Sequence, residues 1–187
     1  VLPDSIIAAG MGGSSLAPFL LQTRDPSLPL ILHRDYGLPQ LPATVLKKSV
    51  VIASSYSGNT EETLSAFAEA VEQKLPVICI ATGGALLKQA EDHAVPFVRV
   101  PVTDIQPRSA TGYMTRAFLK ALHKEEELAA IEQAAGALDV DATEEEGKQL
   151  AGQLKGFFPL IYASRQNEAI AYNWKVRFNE TGKVAAF

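Results

Sequence analysis

Residues 49–55 read Ser-Val-Val-Ile-Ala-Ser-Ser, and residues 76–81 read Pro-Val-Ile-Cys-Ile-Ala. Both runs are apolar at successive positions, not at every second one, so a strand made from either must bury both of its faces. Such strands occur in parallel sheets covered by helices on each side, and here helix-patterned stretches separate the apolar runs. Residues 5–9 form a first strand, broken at Gly10-Met11-Gly12-Gly13 and followed by a helix over 14–22. Residues 29–32 form a second strand and 49–55 a third. A helix over 60–74 follows, with Leu64, Phe67, Ala68 and Val71 at the i, i+3, i+4, i+7 spacing of one face. Residues 76–81 are the fourth strand, 85–92 a short helix and 96–100 the fifth strand, joined by right-handed crossovers.

After Arg108 the character changes. The pattern predicts helices over 110–124 and 125–138, a linker over 139–142, and a helix over 143–156 with Thr143 and Glu146 as a capping box. A sixth strand over 158–163 and a helix over 167–179 follow. One strand and one helix cannot bury their apolar faces alone. The reading therefore divides the chain into a first α/β domain with trailing helices, residues 1–138, and residues 139–187, a linker helix plus the opening of a second α/β subdomain expected to continue past Phe187. A length of 187 residues suits one sizeable core and part of another.

Charge and composition exclude some classes. With 17 basic and 21 acidic side chains the net charge is −4, against the basic stripe of a nucleic-acid binder. No apolar run nears the roughly 20 residues that span a bilayer, and the N-terminus has no basic and apolar leader pattern. Cys79 is the only cysteine, which excludes an intrachain disulfide and a cysteine-based zinc site and suits a reducing cytoplasm.

Ligands of parallel α/β sheets bind at the C-terminal ends of the strands. Gly10-Met11-Gly12-Gly13-Ser14-Ser15 leaves the first strand, and its glycines allow an anion to approach the backbone at a helix start. A dinucleotide fingerprint with Asp35 as ribose acceptor is one alternative, weakened because Ser15 stands where the third glycine belongs. Ser54-Ser55-Tyr56-Ser57-Gly58-Asn59-Thr60 leaves the third strand, and the hydroxyls of Ser55, Ser57 and Thr60 can converge with free amides into a phosphate cradle. Thr60 is also a plausible N-cap. In Gln106-Pro107-Arg108-Ser109-Ala110 an arginine opens a helix, where the dipole prefers an anion, so a bound anion would explain it. Asn173 to Gly182 carries Arg177 and Glu180 as i, i+3 partners ahead of a glycine stop. Taken singly, each segment has a plain explanation: a tight turn, ordinary capping, a surface arginine, an ion-paired helix end.

Taken together, Gly-Met-Gly-Gly-Ser (10–14), Ser-Tyr-Ser-Gly-Asn-Thr-Glu-Glu-Thr (55–63), Gln-Pro-Arg-Ser-Ala (106–110) and Trp-Lys-Val-Arg-Phe-Asn-Glu (174–180) resemble, in that order, the bifunctional phosphoglucose/phosphomannose isomerase family of the sugar isomerase (SIS) superfamily. The resemblance implies SIS subdomains, each a five-stranded parallel sheet between helices, and a homodimer with sites built partly from both subunits. It implies carbohydrate metabolism in the cytoplasm: interconversion of fructose 6-phosphate with glucose 6-phosphate and mannose 6-phosphate, with no metal or organic cofactor, no nucleic acid and no membrane. By position, Ser55, Ser57 and Thr60 would hold the phosphate, Gly13 and Ser14 would approach the sugar, Arg108 would stabilise developing negative charge, and Glu180 would be the base. The family's ring-opening histidine falls beyond Glu180, at a position these 187 residues do not include. Where the family usually has Asn-Glu-Asn-Ala-Lys, residues 179–183 read Asn-Glu-Thr-Gly-Lys. Two rival readings remain. A non-catalytic SIS module would bind a sugar phosphate and regulate without Arg108 or Glu180. A nucleotide-dependent oxidoreductase would rest on the first glycine loop alone.

Overall fold

The computed structural model describes residues 3–187. The chain forms two compact units, Val1–Lys124 and Glu125–Phe187. They meet in sequence at Lys124–Glu125, ahead of the boundary after Leu138 that composition suggests.

The first unit is one parallel sheet of five strands in the order β2-β1-β3-β4-β5. The strands are β1 (Ser5–Ala9), β2 (Leu30–His33), β3 (Ser49–Ser54), β4 (Val77–Ala81) and β5 (Phe97–Arg99). In the central strands the apolar runs behave as expected: every residue of β1 is buried, and β3 and β4 are buried except at Val50 and Ile78. The pleat sends alternate residues to opposite faces. Ile7, Val51, Ala53, Val77, Cys79 and Ala81 pack with Phe67 and Ala70 of α3 (Glu61–Glu72) and Leu86, Leu87 and Ala90 of α4 (Gly84–Asp92). Burial pushes the Cys79 thiol up to about 12, so this cysteine is a small core residue. Ile6, Ile52 and Ile80, also fully buried, point to the other face. There α1 (Gly13–Arg24) and α5 (Thr111–Ala121) pack together and against the sheet.

Several elements depart from the sequence pattern. The buried stripe of α3 is Thr63, Ala66, Phe67 and Ala70, with Ala68 exposed, so the face is turned by about one residue from the one the spacing marks. A four-residue helix, α2 (Ala43–Leu46), follows Pro42, where no periodicity marks it. Arg108 does not open an α-helix: Pro107–Ser109 is one 3-10 turn, and α5 starts at Thr111.

The second unit holds α6 (Glu125–Ala137), α7 (Val140–Leu154) and α8 (Glu168–Arg177). The expected linker over 139–142 is absent. Asp139 caps α7 directly, accepting the Ala142 amide at 2.9 Å. Thr143 is therefore inside the helix and caps nothing; its hydroxyl donates to the Asp139 carbonyl four residues back. The expected sixth strand is also absent. Residues 158–163 have no regular secondary structure and join no sheet among the described residues. Their one backbone partner is Phe187, which donates to the Pro159 carbonyl at 3.1 Å and accepts from the Ile161 amide at 2.8 Å. That is a single step of a parallel ladder. Among the described residues no helix is long and apolar enough to cross a membrane.

Candidate functional site

Strand order reverses between β1 and β3, since the chain leaves β2 on one side of β1 and re-enters the sheet on the other. In open parallel sheets the ligand crevice lies outside the carboxyl ends of the strands at such a reversal. The two loops that leave β1 and β3 are two of the segments that the sequence singles out.

These loops are bound to each other. A Cβ on Gly10 would stand 2.7 Å from the Ser54 carbonyl, so only glycine lets the ends of β1 and β3 approach this closely. Ser14, buried at the start of α1, accepts the Tyr56 amide on its Oγ at 2.9 Å. A Cβ on Gly13 would lie 2.8 Å from the Pro107 carbonyl and 2.9 Å from the Arg108 nitrogen. The close approach that Gly13 permits within the protein is thus to the backbone of the arginine turn. Arg108 itself is half-buried.

The loop after β3 gathers its hydroxyls as expected. Ser55 Oγ lies 2.8 Å from Thr60 Oγ1 and 3.5 Å from Ser57 Oγ, and accepts the Gly58 amide at 3.0 Å. Ser57 Oγ accepts the Asn59 amide at 3.2 Å. Thr60 occupies the N-cap position of α3 but makes no side-chain cap, because its hydroxyl is turned to Ser55. The first amides of a helix lack intrahelical acceptors. Those of Glu61, Glu62 and Thr63 find none elsewhere among the described residues. The start of α3 is therefore a cluster of hydroxyls around unused donors at the positive end of a helix, suited to a phosphate.

The neighbouring helix starts differ. Asn59 Oδ1 accepts the Ala85 amide at 3.0 Å and so caps α4 from another loop. In α1, the Ser14 and Ser15 amides are taken by the Met11 and Gly12 carbonyls. Of the three helix starts along this edge, that of α3 keeps its donors open. Its acidic first turn is partly engaged elsewhere: Tyr36 donates its hydroxyl to Glu61 at 3.1 Å, and the carboxylate raises the Tyr36 phenol above its usual value.

The loop is also locked from below. A Cβ on Gly58, at φ +74°, would lie 1.9 Å from the Gly83 carbonyl. The Gly58 carbonyl accepts the Leu86 amide at 2.9 Å, and the Tyr56 carbonyl accepts both the amide and the hydroxyl of Thr82, at 3.0 and 2.7 Å. Asn59, Tyr56 and Thr82 were not legible as site residues. The available signal was a bulky aromatic between two small serines, a misfit in a solvated loop.

Gly13, Ser14, Ser55, Ser57, Thr60 and Arg108 all belong to loops, turns or helix starts of the first unit. Glu180 belongs to the second unit. There α8 passes into a π-helical turn over Phe178–Gly182, and Glu180 is exposed within it. Such turns widen the helix and recur at functional positions. Asn179 Oδ1 holds the turn by accepting the Ala186 amide at 2.7 Å, and the Trp174 and Phe178 rings stack at 5.9 Å. The helix ends at Lys183, in the left-handed region at φ +54°. A Cβ on Gly182 would meet only Phe178 at 3.9 Å, so the alanine usual at that place in the resembled pattern would fit. Among the described residues no three potential ligands cluster to hold a metal ion.

Comparison with known proteins places the chain's likeness in sequence and fold. The family model for the bacterial phospho-glucose isomerase C-terminal SIS domain matches residues 143–187. A bifunctional phosphoglucose/phosphomannose isomerase from Thermoplasma volcanium is 37% identical, over 98% of this chain and 59% of its own length. A D-glucosamine-6-phosphate 4-epimerase from Sulfolobus acidocaldarius is 29% identical, with 98% and 59% covered. The crystal structure of tagatose-6-phosphate ketose/aldose isomerase from Escherichia coli superposes with a TM-score of 0.62 at 19% identity, over 99% of this chain and 56% of that one, which is a likeness of fold. The chain thus spans less than two thirds of the length of these relatives.

Proposed function

We propose, from its 37% identity to a bifunctional phosphoglucose/phosphomannose isomerase, that the chain belongs to that family and forms the hexose 6-phosphate site of an aldose–ketose isomerase. The observation that carries the proposal is the hydroxyl cluster of Ser55, Ser57 and Thr60 around the open amides of α3, with the Arg108 turn packed on Gly13 beside it. The phosphate sits in this cluster, away from the reacting carbons, and its binding energy orients the sugar. Gly13 and Ser14 line the approach of the sugar. The Glu180 carboxylate takes the proton from C2 of the open-chain aldose and returns it to C1. The carbonyl moves from C1 to C2 through a cis-enediolate, and the hydroxyl proton passes from O2 to O1. Arg108 is the cation for the oxygens on which negative charge develops. No step needs a metal or an organic cofactor. The same kinship supports a homodimer acting in glycolysis and gluconeogenesis in the cytoplasm, and a second SIS-type subdomain beginning in residues 139–187.

The test is a coupled assay on the full-length protein. Fructose 6-phosphate is supplied, glucose 6-phosphate and mannose 6-phosphate are followed separately, and Glu180→Gln is run alongside. Both products should form, and the substitution should lower kcat by about 10²–10⁴-fold, the usual worth of a general base. If neither product appears while fructose 6-phosphate still raises the melting temperature, the protein is a sugar-phosphate binder. A parallel arm with glucosamine 6-phosphate distinguishes isomerisation from the epimerisation named for the Sulfolobus relative.

A further inference from the structure

Tyr56 lies between the two serines of the hydroxyl cluster, yet it is 8% exposed. Its backbone joins three loops: its amide goes to Ser14 after β1, and its carbonyl takes both donors of Thr82 after β4. Its side chain reaches a fourth. The phenol oxygen lies 2.7 Å from Thr103 Oγ1, in the loop between β5 and the Arg108 turn.

That loop has little else to hold it. Pro101, Val102, Asp104 and Ile105 are exposed, and Thr103 is the one half-buried residue among them. Among the described residues, none from Pro101 to Ile105 makes another hydrogen bond. Order resumes at Gln106, whose carbonyl accepts the Ser109 amide at 2.7 Å, and at Arg108, whose carbonyl accepts the Thr111 hydroxyl at 3.2 Å. The turn carrying Arg108 is internally firm, and its upstream lead is fastened at one point.

We infer that Tyr56 is a positioning residue, whose phenol–Thr103 hydrogen bond couples the phosphate loop to the lead of the arginine turn and so sets where Arg108 stands. The inference rests on the functional reading above. Phenylalanine would fill the same volume and keep every backbone bond to Ser14 and Thr82, so a purely packing role for Tyr56 predicts that Tyr56→Phe is silent.

The experiment uses the full-length protein carrying Tyr56→Phe, Thr103→Val, Arg108→Ala and the pairwise combinations. Three quantities are read: kcat and KM for fructose 6-phosphate, affinity for inorganic phosphate by calorimetry, and amide hydrogen exchange over residues 102–106. Tyr56→Phe and Thr103→Val should each lower kcat roughly ten- to a hundredfold, the scale of a small misplacement of a catalytic group. Phosphate affinity should stay within about twofold, and exchange over 102–106 should rise. The Tyr56→Phe/Thr103→Val pair should be no worse than either single variant, and neither should lower kcat further in the Arg108→Ala background. The inference is overturned if kcat and exchange are unchanged in both single variants, if phosphate affinity falls in step with kcat, or if the effects multiply with Arg108→Ala. A wild-type protein without isomerase activity would instead sink the functional reading, while the exchange measurement would still decide the tether.

Discussion

Residues 49–54 and 158–163 are the same kind of sequence: a short apolar run, then a polar stretch, then a helix. Only the first is a strand. β3 pairs with β1 on one side and β4 on the other, and Val51, Ile52 and Ala53 are completely buried. The second run has one ladder step, to Phe187, and leaves Phe158, Leu160 and Tyr162 at 72%, 61% and 89% exposure. An apolar run becomes a strand when neighbours take up its amides and carbonyls; hydrophobicity alone does not supply them. The contrast extends to function. In the first unit, loops at the sheet edge are held by contacts between distant parts of the chain. In the second, a hold on the turn carrying Glu180 comes from within a few residues, Asn179 Oδ1 taking the Ala186 amide.

The strongest way to break this contrast is at glycine. Gly58→Ala forces a Cβ at positive φ into the Gly83 carbonyl and should cost about 3 kcal/mol or more of stability. Gly182→Ala in the second unit meets only ordinary contact and should change stability by less than about 0.5 kcal/mol. Urea unfolding of both variants measures this, and equal losses would refute the claim that tight tertiary approach is confined to the sheet edge. A smaller effect is expected at Ser14. Ser14→Ala removes the acceptor of the buried Tyr56 amide and should cost about 1–3 kcal/mol, the penalty for an unsatisfied buried donor. A silent Ser14→Ala would mean that the first two loops do not depend on each other.

Much of the first unit was legible because its signals are local. Five apolar runs at strand length gave five strands, and the spacing Ser55-x-Ser57-x-x-Thr60 brought three hydroxyls together as expected. What the pattern does not decide is which of several nearby groups wins a bond, or which distant partner a side chain finds. Thr60 carries the sequence mark of a cap, but the nearer hydroxyl of Ser55 takes its side chain. Thr143 and Glu146 have capping-box spacing, but Asp139 four residues earlier captures the helix start. Tyr56 could not be distinguished from a solvent-facing loop residue, since its role is set by Thr103, far along the chain.

The smallest expected effect is a gain. α7 is exposed along nearly its whole length, and a Cβ on Gly147 would meet nothing within 4 Å. In a helix interior, glycine costs about 0.8–1.0 kcal/mol relative to alanine, through backbone entropy. The neighbouring Glu144–Lys148 ion pair, at 2.7 Å with both side chains mostly exposed, is worth about 0.3–0.5 kcal/mol. Propensity therefore outweighs the visible contact: Gly147→Ala should slow amide exchange in α7 by more than Glu144→Gln speeds it. At Gly58 an added methyl collides with a carbonyl brought in by the fold, whereas at Gly147 it only restrains the unfolded chain. Faster exchange in Gly147→Ala would show that α7 is constrained at that position, and the division between a tightly tied first unit and a locally held second would fail at its simplest point.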